Sequence, residues 1–423
     1  MIDKKIKEYS NYCLNCKVKP CSQKGCPLSN DIPAFIKCVK DEDLKQAYMI
    51  LTKTTMIGSV CGRICPHEKQ CQGSCVRGIK SEPVHIGEIE SYVFDNGLKN
   101  EYYKEIEKSN TLKDKKIAVI GSGPASLNAS AFLAIAGADV TIYEKQNELG
   151  GILSHGIPEF RLDRDVLNST INQILSLGIK IKTGITLGKD IDLEELKKNY
   201  DAVFLGIGAN VPAKMNIPGE ELEGVFGGNT LLENGNHPDY TDKIVAVSGG
   251  GNVAMDCART IKRLGAKKVY VIYRRAEEQM PAEKKEIVDA KNEGIEFLFQ
   301  NNIVKIIGDE KVKRVECIKT VLVQKEGETR LSPVNIEGSN YELDVDYVVM
   351  AVGSKPDKNI LSKLNLELNE WGYIKVDENY KTSDDKVYAG GDLIGQKATV
   401  AWAAKAGRDA AKAIERELKK IYI

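Results

Sequence analysis

Two stretches of this chain repeat one pattern: KIAVIGSGPASLNASAFLAIAG from Lys116 and KIVAVSGGGNVAMDCARTIKRLG from Lys243. Each reads as an apolar strand, a glycine-rich turn and an opening helix. Each is followed by a further strand, DVTIYEK or KKVYVIYRR. A strand that returns parallel to its neighbour needs a crossover, so a helix must pack back on the sheet. The fold class is therefore α/β with two Rossmann-like dinucleotide-binding units. The copies lie about 130 residues apart, which marks a duplicated fold and not a solenoid period.

In the first loop, Gly121 permits the tight turn and Gly123 lets backbone approach a pyrophosphate, with Pro124 and Ala125 opening the helix. Ser126 fills the third small position. Glu144 ends the next strand and is placed to accept a hydrogen bond from a ribose 2′-hydroxyl. In the second loop Gly249, Gly251 and Ala254 take the small positions, around Asn252 and Val253. There Arg274 and Arg275 follow the second strand in place of an acid. A carboxylate would repel a 2′-phosphate, whereas guanidinium groups grip it, which points to NADP(H). One acid-terminated and one arginine-terminated unit divide the labour: FAD in the first, NADPH in the second.

Nine of the eleven cysteines lie between Cys13 and Cys75. In a reducing compartment such a cluster means metal sooner than disulfides. Cys13, Cys16, Cys21 and Cys26 are spaced C-x2-C-x4-C-x4-C, and Cys61, Cys65, Cys71 and Cys75 C-x3-C-x5-C-x3-C. Zinc sites favour paired C-x2-C knuckles or histidines, and this chain has one such knuckle and four histidines. Eight thiolates suit two cubane iron–sulfur clusters. Cys38, Cys257 and Cys317 are expected to be buried and inert.

The remaining chain sets the frame. A helical pattern runs from Asp31 to Leu51, with Pro33 near its start, and a charged linker covers about Asn100 to Asp114. The segments Val312–Lys325 and Tyr341–Val352 read as a crossover sheet, and a helix spans about Thr399 to Lys419. The expected division is a helical cluster domain over 1–110, an FAD domain over 111–240 and 351–423, and an inserted NADPH domain over 241–350. Lys+Arg and Asp+Glu each number 60, so no basic surplus recruits nucleic acid or an anionic membrane. The charged start of the chain and the lack of a long apolar run make the cytoplasm the expected location.

GSGPA, GGILSHGIPEFRLDRDVL, GGGNVAMDCAR, YRRAEEQMPA and AGGDLIGQKATVAWAAKAGRDAA follow GRICPHEKQCQGSCVRGIKSEPVHIG in that family's order. Over essentially its whole length the chain resembles the glutamate synthase small-subunit family. It is also similar to the large subunit of electron-bifurcating NADH-dependent ferredoxin:NADP oxidoreductase and to the N-terminal half of dihydropyrimidine dehydrogenase. The resemblance implies a disulfide-reductase-like FAD/NADPH fold behind a helical iron–sulfur domain. It assigns Cys13, Cys16, Cys21 and Cys75 to one 4Fe-4S cluster and Cys26, Cys65 and Cys71 to another, with Glu90 or Cys61 as the remaining ligand. Four residues separate Cys21 from Cys26 where the family uses three, which would bend the loop outwards or shift the ligand geometry. The resemblance also places Gly150 and Gly151 beside the flavin ring, Arg161 in the FAD site, Gly391 and Asp392 at the ribityl chain, and Thr399 and Val400 at a helix end that favours charge on the reduced flavin.

Hydride transfer from nicotinamide to flavin needs positioning more than acid–base groups, so a missing histidine constellation is no objection. A disulfide reductase would need a cysteine pair facing the flavin, and near the second loop Cys257 stands alone. A non-catalytic electron carrier would not need an intact second loop. The chain has no residues left over for an amidotransferase or a pyrimidine-reducing barrel. The expectation is an electron-exchange subunit working with a partner, either an amidotransferase-type large subunit or a small flavin and iron–sulfur reductase.

Overall fold

The computed structural model describes residues 2–325 and 330–420. One compact unit takes in the chain up to Ser154, Glu159–Ala209 and the chain from Pro356. The other takes in His155–Pro158 and Asn210–Lys355.

The first unit begins with five α-helices: α1 (Lys4–Tyr12), α2 (Ile32–Lys40), α3 (Leu44–Thr52), α4 (Gly58–Ile64) and α5 (Ile86–Lys99). The single helical run expected from Asp31 to Leu51 is two helices. Asp31 caps the first by accepting from the Ala34 amide, and Asp43 caps the second through the Gln46 amide. Between them Glu42 takes a left-handed conformation (φ 62), which ends one helix and frees Asp43 to start the next. Phe35, Ile36, Tyr48, Leu51, Ile89 and Phe94 are fully buried and form this region's core.

The cysteine region continues into a parallel sheet in the order β16-β4-β1-β2-β3. These strands are β1 (Lys116–Ile120), β2 (Asp139–Glu144), β3 (Lys180–Thr183), β4 (Ala202–Leu205) and β16 (Val387–Ala389). Helix α6 (Pro124–Ile135) crosses from β1 to β2, and the helix Val400–Lys420 packs along it. The stretch expected as a linker is anchored: Leu112 is fully buried and donates its amide to the Ala136 carbonyl (2.8 Å).

Buried hydrogen bonds fuse the helices to the sheet layer. Asn128 on α6 accepts from the Met56 amide (2.9 Å) and donates to the Ala404 carbonyl (2.8 Å). Gln173 accepts from the Tyr48 hydroxyl (2.7 Å) and donates to the Met56 carbonyl (2.6 Å). Arg408 donates to the Leu28 carbonyl (2.6 Å). Each satisfies a main-chain group that would otherwise be buried without a partner. Residues 1–110 therefore share one compact body with the first dinucleotide-binding fold.

The second unit holds a parallel sheet, β6-β14-β7-β8-β9, and an antiparallel one in which β11 pairs with β10, β12 and β13. Its parallel strands are β6 (Val225–Gly227), β7 (Ile244–Ser248), β8 (Lys268–Tyr273), β9 (Glu296–Phe299) and β14 (Tyr347–Met350). The antiparallel strands are β10 (Asn301–Gly308), β11 (Val312–Val323), β12 (Ser332–Asn335) and β13 (Tyr341–Asp344). The unit starts at Asn210, ahead of the boundary at 241, because β5 (Val211–Pro212) pairs with β15 (Ser354–Lys355) and β6 pairs with β14. Strands of two and three residues carry no readable alternation. Among the described residues no helix is long and apolar enough to cross a membrane.

Candidate functional site

At the end of β1, Gly121 turns with φ 88, and a Cβ there would lie 2.6 Å from the Gly206 carbonyl oxygen. This glycine is required by the protein itself. Gly123 is different. Its backbone (φ −68, ψ −178) suits any residue, and an added Cβ meets nothing within 4 Å. The second loop repeats the contrast. Gly249 has φ 141 and its Cβ would fall 2.2 Å from the Ala351 oxygen, whereas Gly251 (φ −93) would meet only Pro281, at 3.8 Å. Neither Gly123 nor Gly251 is demanded by backbone or by packing, and each leaves open a cradle that a methyl group would fill. That is the fit expected for a pyrophosphate drawn against the amides at a helix N-terminus.

Around the first cradle, Glu144 is buried, with one oxygen accepting from Ser122 Oγ (2.6 Å) and the other from the Gln146 amide (2.9 Å). Ser122 in turn accepts from the Gly150 amide (3.0 Å), and a Cβ on Gly151 would lie 3.0 Å from Gly123 Cα. Gly150 and Gly151 are thus held against the loop. Pro124 and Ala125 are buried at the start of α6. Gly391 (φ 72) lies over Ala125, its Cβ position 3.2 Å from the alanine's. The carboxyl of Asp392 is pushed up to about 6 by burial and has no hydrogen-bond partner among the described residues. Thr399 caps the helix Val400–Lys420: its hydroxyl accepts from the Trp402 amide (3.4 Å) and from Gln70 Nε2 (3.3 Å). Val400 is buried, and Arg161 is half-buried just ahead of the helix Arg164–Leu175.

In the second unit Ala254 is fully buried and Val253 half-buried. Asn252 accepts from the Glu283 amide (3.1 Å), and the Gly250 carbonyl accepts from the Ala282 amide (3.1 Å), so the segment after β8 is tied to the glycine loop. Arg274 is exposed, and Arg275 is half-buried.

The cysteines fall into two groups. Cys13, Cys16, Cys21 and Cys75 line one small cavity, under Ile32 and Ile36. Cys26, Cys65, Cys71 and Glu90 form the second group. Burial first, then Glu90, pushes the Cys26 thiol up to about 12, and burial raises Cys71 well above its ordinary range. Burial likewise raises the Glu90 carboxyl to about 8, against one lowering contact from Asn30, whose Nδ2 donates to it at 3.0 Å. Cys61 is hydrogen-bonded to Cys65. Such acids ionise only beside a cation, and bound metal supplies one. Among the described residues no three His, Cys, Asp or Glu side chains converge as a single ion requires. A cubane spreads its ligands around a core instead.

The extra residue between Cys21 and Cys26 does not bend the loop outwards. It is taken up in a π-helical turn, Cys21–Gly25, closed by the Cys26 amide on the Cys21 carbonyl (2.8 Å). Gly25 packs on the Gln70–Cys71 backbone, which brings Cys26 to Cys71. Cys257 and Cys317 are fully buried as expected, and burial raises both thiols; Cys38 is half-exposed instead.

Residues 115–410 match the family model for pyridine nucleotide-disulphide oxidoreductases, and residues 1–102 that for dihydropyrimidine dehydrogenase domain II, 4Fe-4S cluster. The glutamate synthase (NADPH) small chain of Halomonas elongata is 34% identical over 419 residues, covering 95% of this chain and 88% of that one. The chain belongs to the glutamate synthase small-subunit family. It is an oxidoreductase with a 4Fe-4S-type domain ahead of its dinucleotide-binding folds. The beta subunit of an NADP(+)-dependent formate dehydrogenase from Moorella thermoacetica is 35% identical over 428 residues, 95% of this chain and 60% of that one. Among solved structures, Mycobacterium tuberculosis FprA in complex with NADPH shares the fold, with a TM-score of 0.65 at 20% identity, over 73% of this chain and 85% of that one.

Family motifs leave several of these residues unnamed. Ser122, Asn30 and Gln70 act through partners 22, 60 and 329 residues away. Only Ser122 carries a local signal, as the residue between the two loop glycines.

Proposed function

We propose that this chain is the NADPH-oxidising subunit of a glutamate synthase or a close paralogue, exchanging electrons between NADPH, FAD and two 4Fe-4S clusters and a partner protein. The observation that carries the reading is the pair of open cradles at Gly123 and Gly251. The first fold ends in a buried carboxylate and the second in two arginines, which supports FAD in one and NADPH in the other. Bound FAD would accept a hydride and release its electrons singly, the step that joins a nicotinamide to iron–sulfur clusters.

The chain's residues serve that traffic by position. Glu144, held by Ser122, would bind the FAD ribose, and Asp392 would accept from the ribityl hydroxyls. The head of the helix Val400–Lys420, capped by Thr399, would favour negative charge on the flavin ring. Gln70 bonds to Thr399 and precedes Cys71, so the second cysteine group adjoins the flavin helix. For its fourth ligand Glu90 is favoured over Cys61, because its buried carboxyl has a single neutral donor and faces the Cys26 and Cys71 thiols. In the second group Cys65 and Cys71 are buried and Cys26 is half-exposed; in the first only Cys21 is buried, whereas Cys13, Cys16 and Cys75 are half-exposed. Around the latter stand the exposed apolar residues Leu14, Val18, Val76 and Ile79. That outer group would face the partner, with an apolar rim to exclude water.

The test is anaerobic purification of the chain from its own cells, with FAD and iron counted. One FAD, eight irons and flavin bleaching by NADPH support the reading; a chain that NADPH cannot bleach sinks it. A co-purifying amidotransferase subunit assigns glutamate synthesis. A small flavin and iron–sulfur subunit would assign bifurcation instead. Cys75→Ser should keep NADPH bleaching and lose onward transfer.

A further inference from the structure

The hairpin of β11 and β12 is stitched to the turn that follows β8. Thr320 on β11 donates its hydroxyl to the Arg274 carbonyl (2.8 Å). Arg275 Nε donates to the carbonyl of Leu331, just ahead of β12 (3.1 Å). Arg330, the neighbouring residue, donates a terminal N–H to the Gln279 carbonyl (3.0 Å), which also accepts from the Tyr273 hydroxyl (2.9 Å). Tyr273 packs its ring on Gly250 in the middle of the second loop and immediately precedes Arg274. One carbonyl therefore joins Arg330 to the loop that would hold the pyrophosphate and to the residue leading into the paired arginines.

Among the described residues these charges have no acidic partner. Neither Arg274 nor Arg330 forms an ion pair among the described residues, and Arg275 spends its Nε on a neutral carbonyl. In the turn itself, Glu277 is engaged by Lys291 (2.7 Å). A guanidinium has five N–H donors in a planar fork, so Arg275 and Arg330 keep most of theirs for another ligand. These bonds hold the guanidinium groups of Arg275 and Arg330 at one turn, which Arg274 opens, and like charges gathered there favour an anion among them.

We propose that Arg330 is a third guanidinium of the 2′-phosphate site, contributed by the β11–β12 hairpin from outside the dinucleotide motif, and so a specificity-determining residue for NADPH over NADH. The inference rests on the reading of the second loop as the NADPH site. A rival account makes Arg330 a structural pin between hairpin and turn. The two differ in what they predict for a ligand without the 2′-phosphate.

The experiment is calorimetric titration of the full chain with 2′,5′-ADP and with 5′-AMP, for wild type, Arg330→Gln and Arg330→Lys. Arg330→Gln keeps a donor for Gln279 while removing the charge. It should weaken 2′,5′-ADP about tenfold, the worth of one charge-assisted hydrogen bond, and leave the 5′-AMP constant within about twofold. Arg330→Lys should recover part of the loss, and the NADPH-to-NADH ratio of kcat/KM should fall in parallel. Equal weakening of both ligands, or of neither, overturns the proposal. If wild type itself binds 2′,5′-ADP no better than 5′-AMP, the NADPH reading falls first and this one with it. A thermal melt of each variant keeps a folding defect from passing as a binding effect.

Discussion

Replacing Gly123 by alanine separates what the fold needs from what a ligand needs. The added Cβ meets no atom within 4 Å and the backbone angles suit alanine. In FAD-free protein the change should therefore cost nothing, and it should add about 0.4–1 kcal/mol by stiffening the unfolded chain. With FAD the methyl group occupies the cradle and holds the pyrophosphate off the amides at the head of α6. Losing two hydrogen bonds to a charged acceptor, at roughly 1.5–3 kcal/mol each, weakens FAD by at least about a hundredfold. Gly251→Ala should do the same to NADPH and leave bound FAD alone. The assay is a thermal melt of flavin-stripped protein beside FAD and NADPH titrations by fluorescence. A Gly123→Ala protein that melts as wild type and still binds FAD with wild-type affinity would refute the reasoning, because the open space would then not be the pyrophosphate's.

Gly407 is the mirror image. A Cβ there would fall 1.9 Å from the Ala125 oxygen, so the helix Val400–Lys420 must retreat from α6, and Gly407→Ala should cost about 3 kcal/mol, or roughly 6 °C in a melt of the stripped protein. Asn30→Leu removes the amide that orients Glu90, while the Thr54 hydroxyl keeps the Leu51 carbonyl as an acceptor (2.9 Å). Iron content should fall from two clusters toward one, with the outer group's EPR signal retained. His67 is held at about 4 by burial, against the lift of its hydrogen bond to Cys61. It stays neutral in the folded state while the unfolded chain titrates near 6.5, so its contribution is complete above pH 6.5 and is lost as pH falls toward 4. Between pH 7 and 5 wild type should lose about 2 kcal/mol relative to His67→Gln in urea unfolding, and equal losses would exclude this assignment.

What could be read from the sequence was local. Each glycine loop, its strand and its terminal acid or arginines lie within a few dozen residues, and the structure presents them as a strand, turn and helix in that order. The two cysteine groups were reached through family resemblance, since spacing alone does not say that Cys75 joins Cys13 across 61 intervening residues. The break at Glu42 was hidden because apolar spacing continues through it, and only a left-handed backbone shows the stop. The start of the second unit was missed because β5 and β6 are too short to alternate. Asn128, Gln173 and Arg408 lie on helices, and each is spent on a main-chain group from another part of the fold. Such a pairing has no sequence signal in one chain, because the need arises only when the two backbones meet.

The Arg408–Leu28 bond also has a consequence in time. The inner cysteines sit in a body whose wall includes the helix Val400–Lys420, and roughly 330 residues separate the last of them, Cys71, from that helix. At about 5–20 residues per second the ribosome needs roughly 15 to 65 seconds to cover the distance. Through that interval the thiols have been made but the wall against which they are finally enclosed has not. Assembly factors delivering iron and sulfide would have their easiest access to the nascent chain then, and a slow codon run ahead of Val400 would lengthen the opportunity.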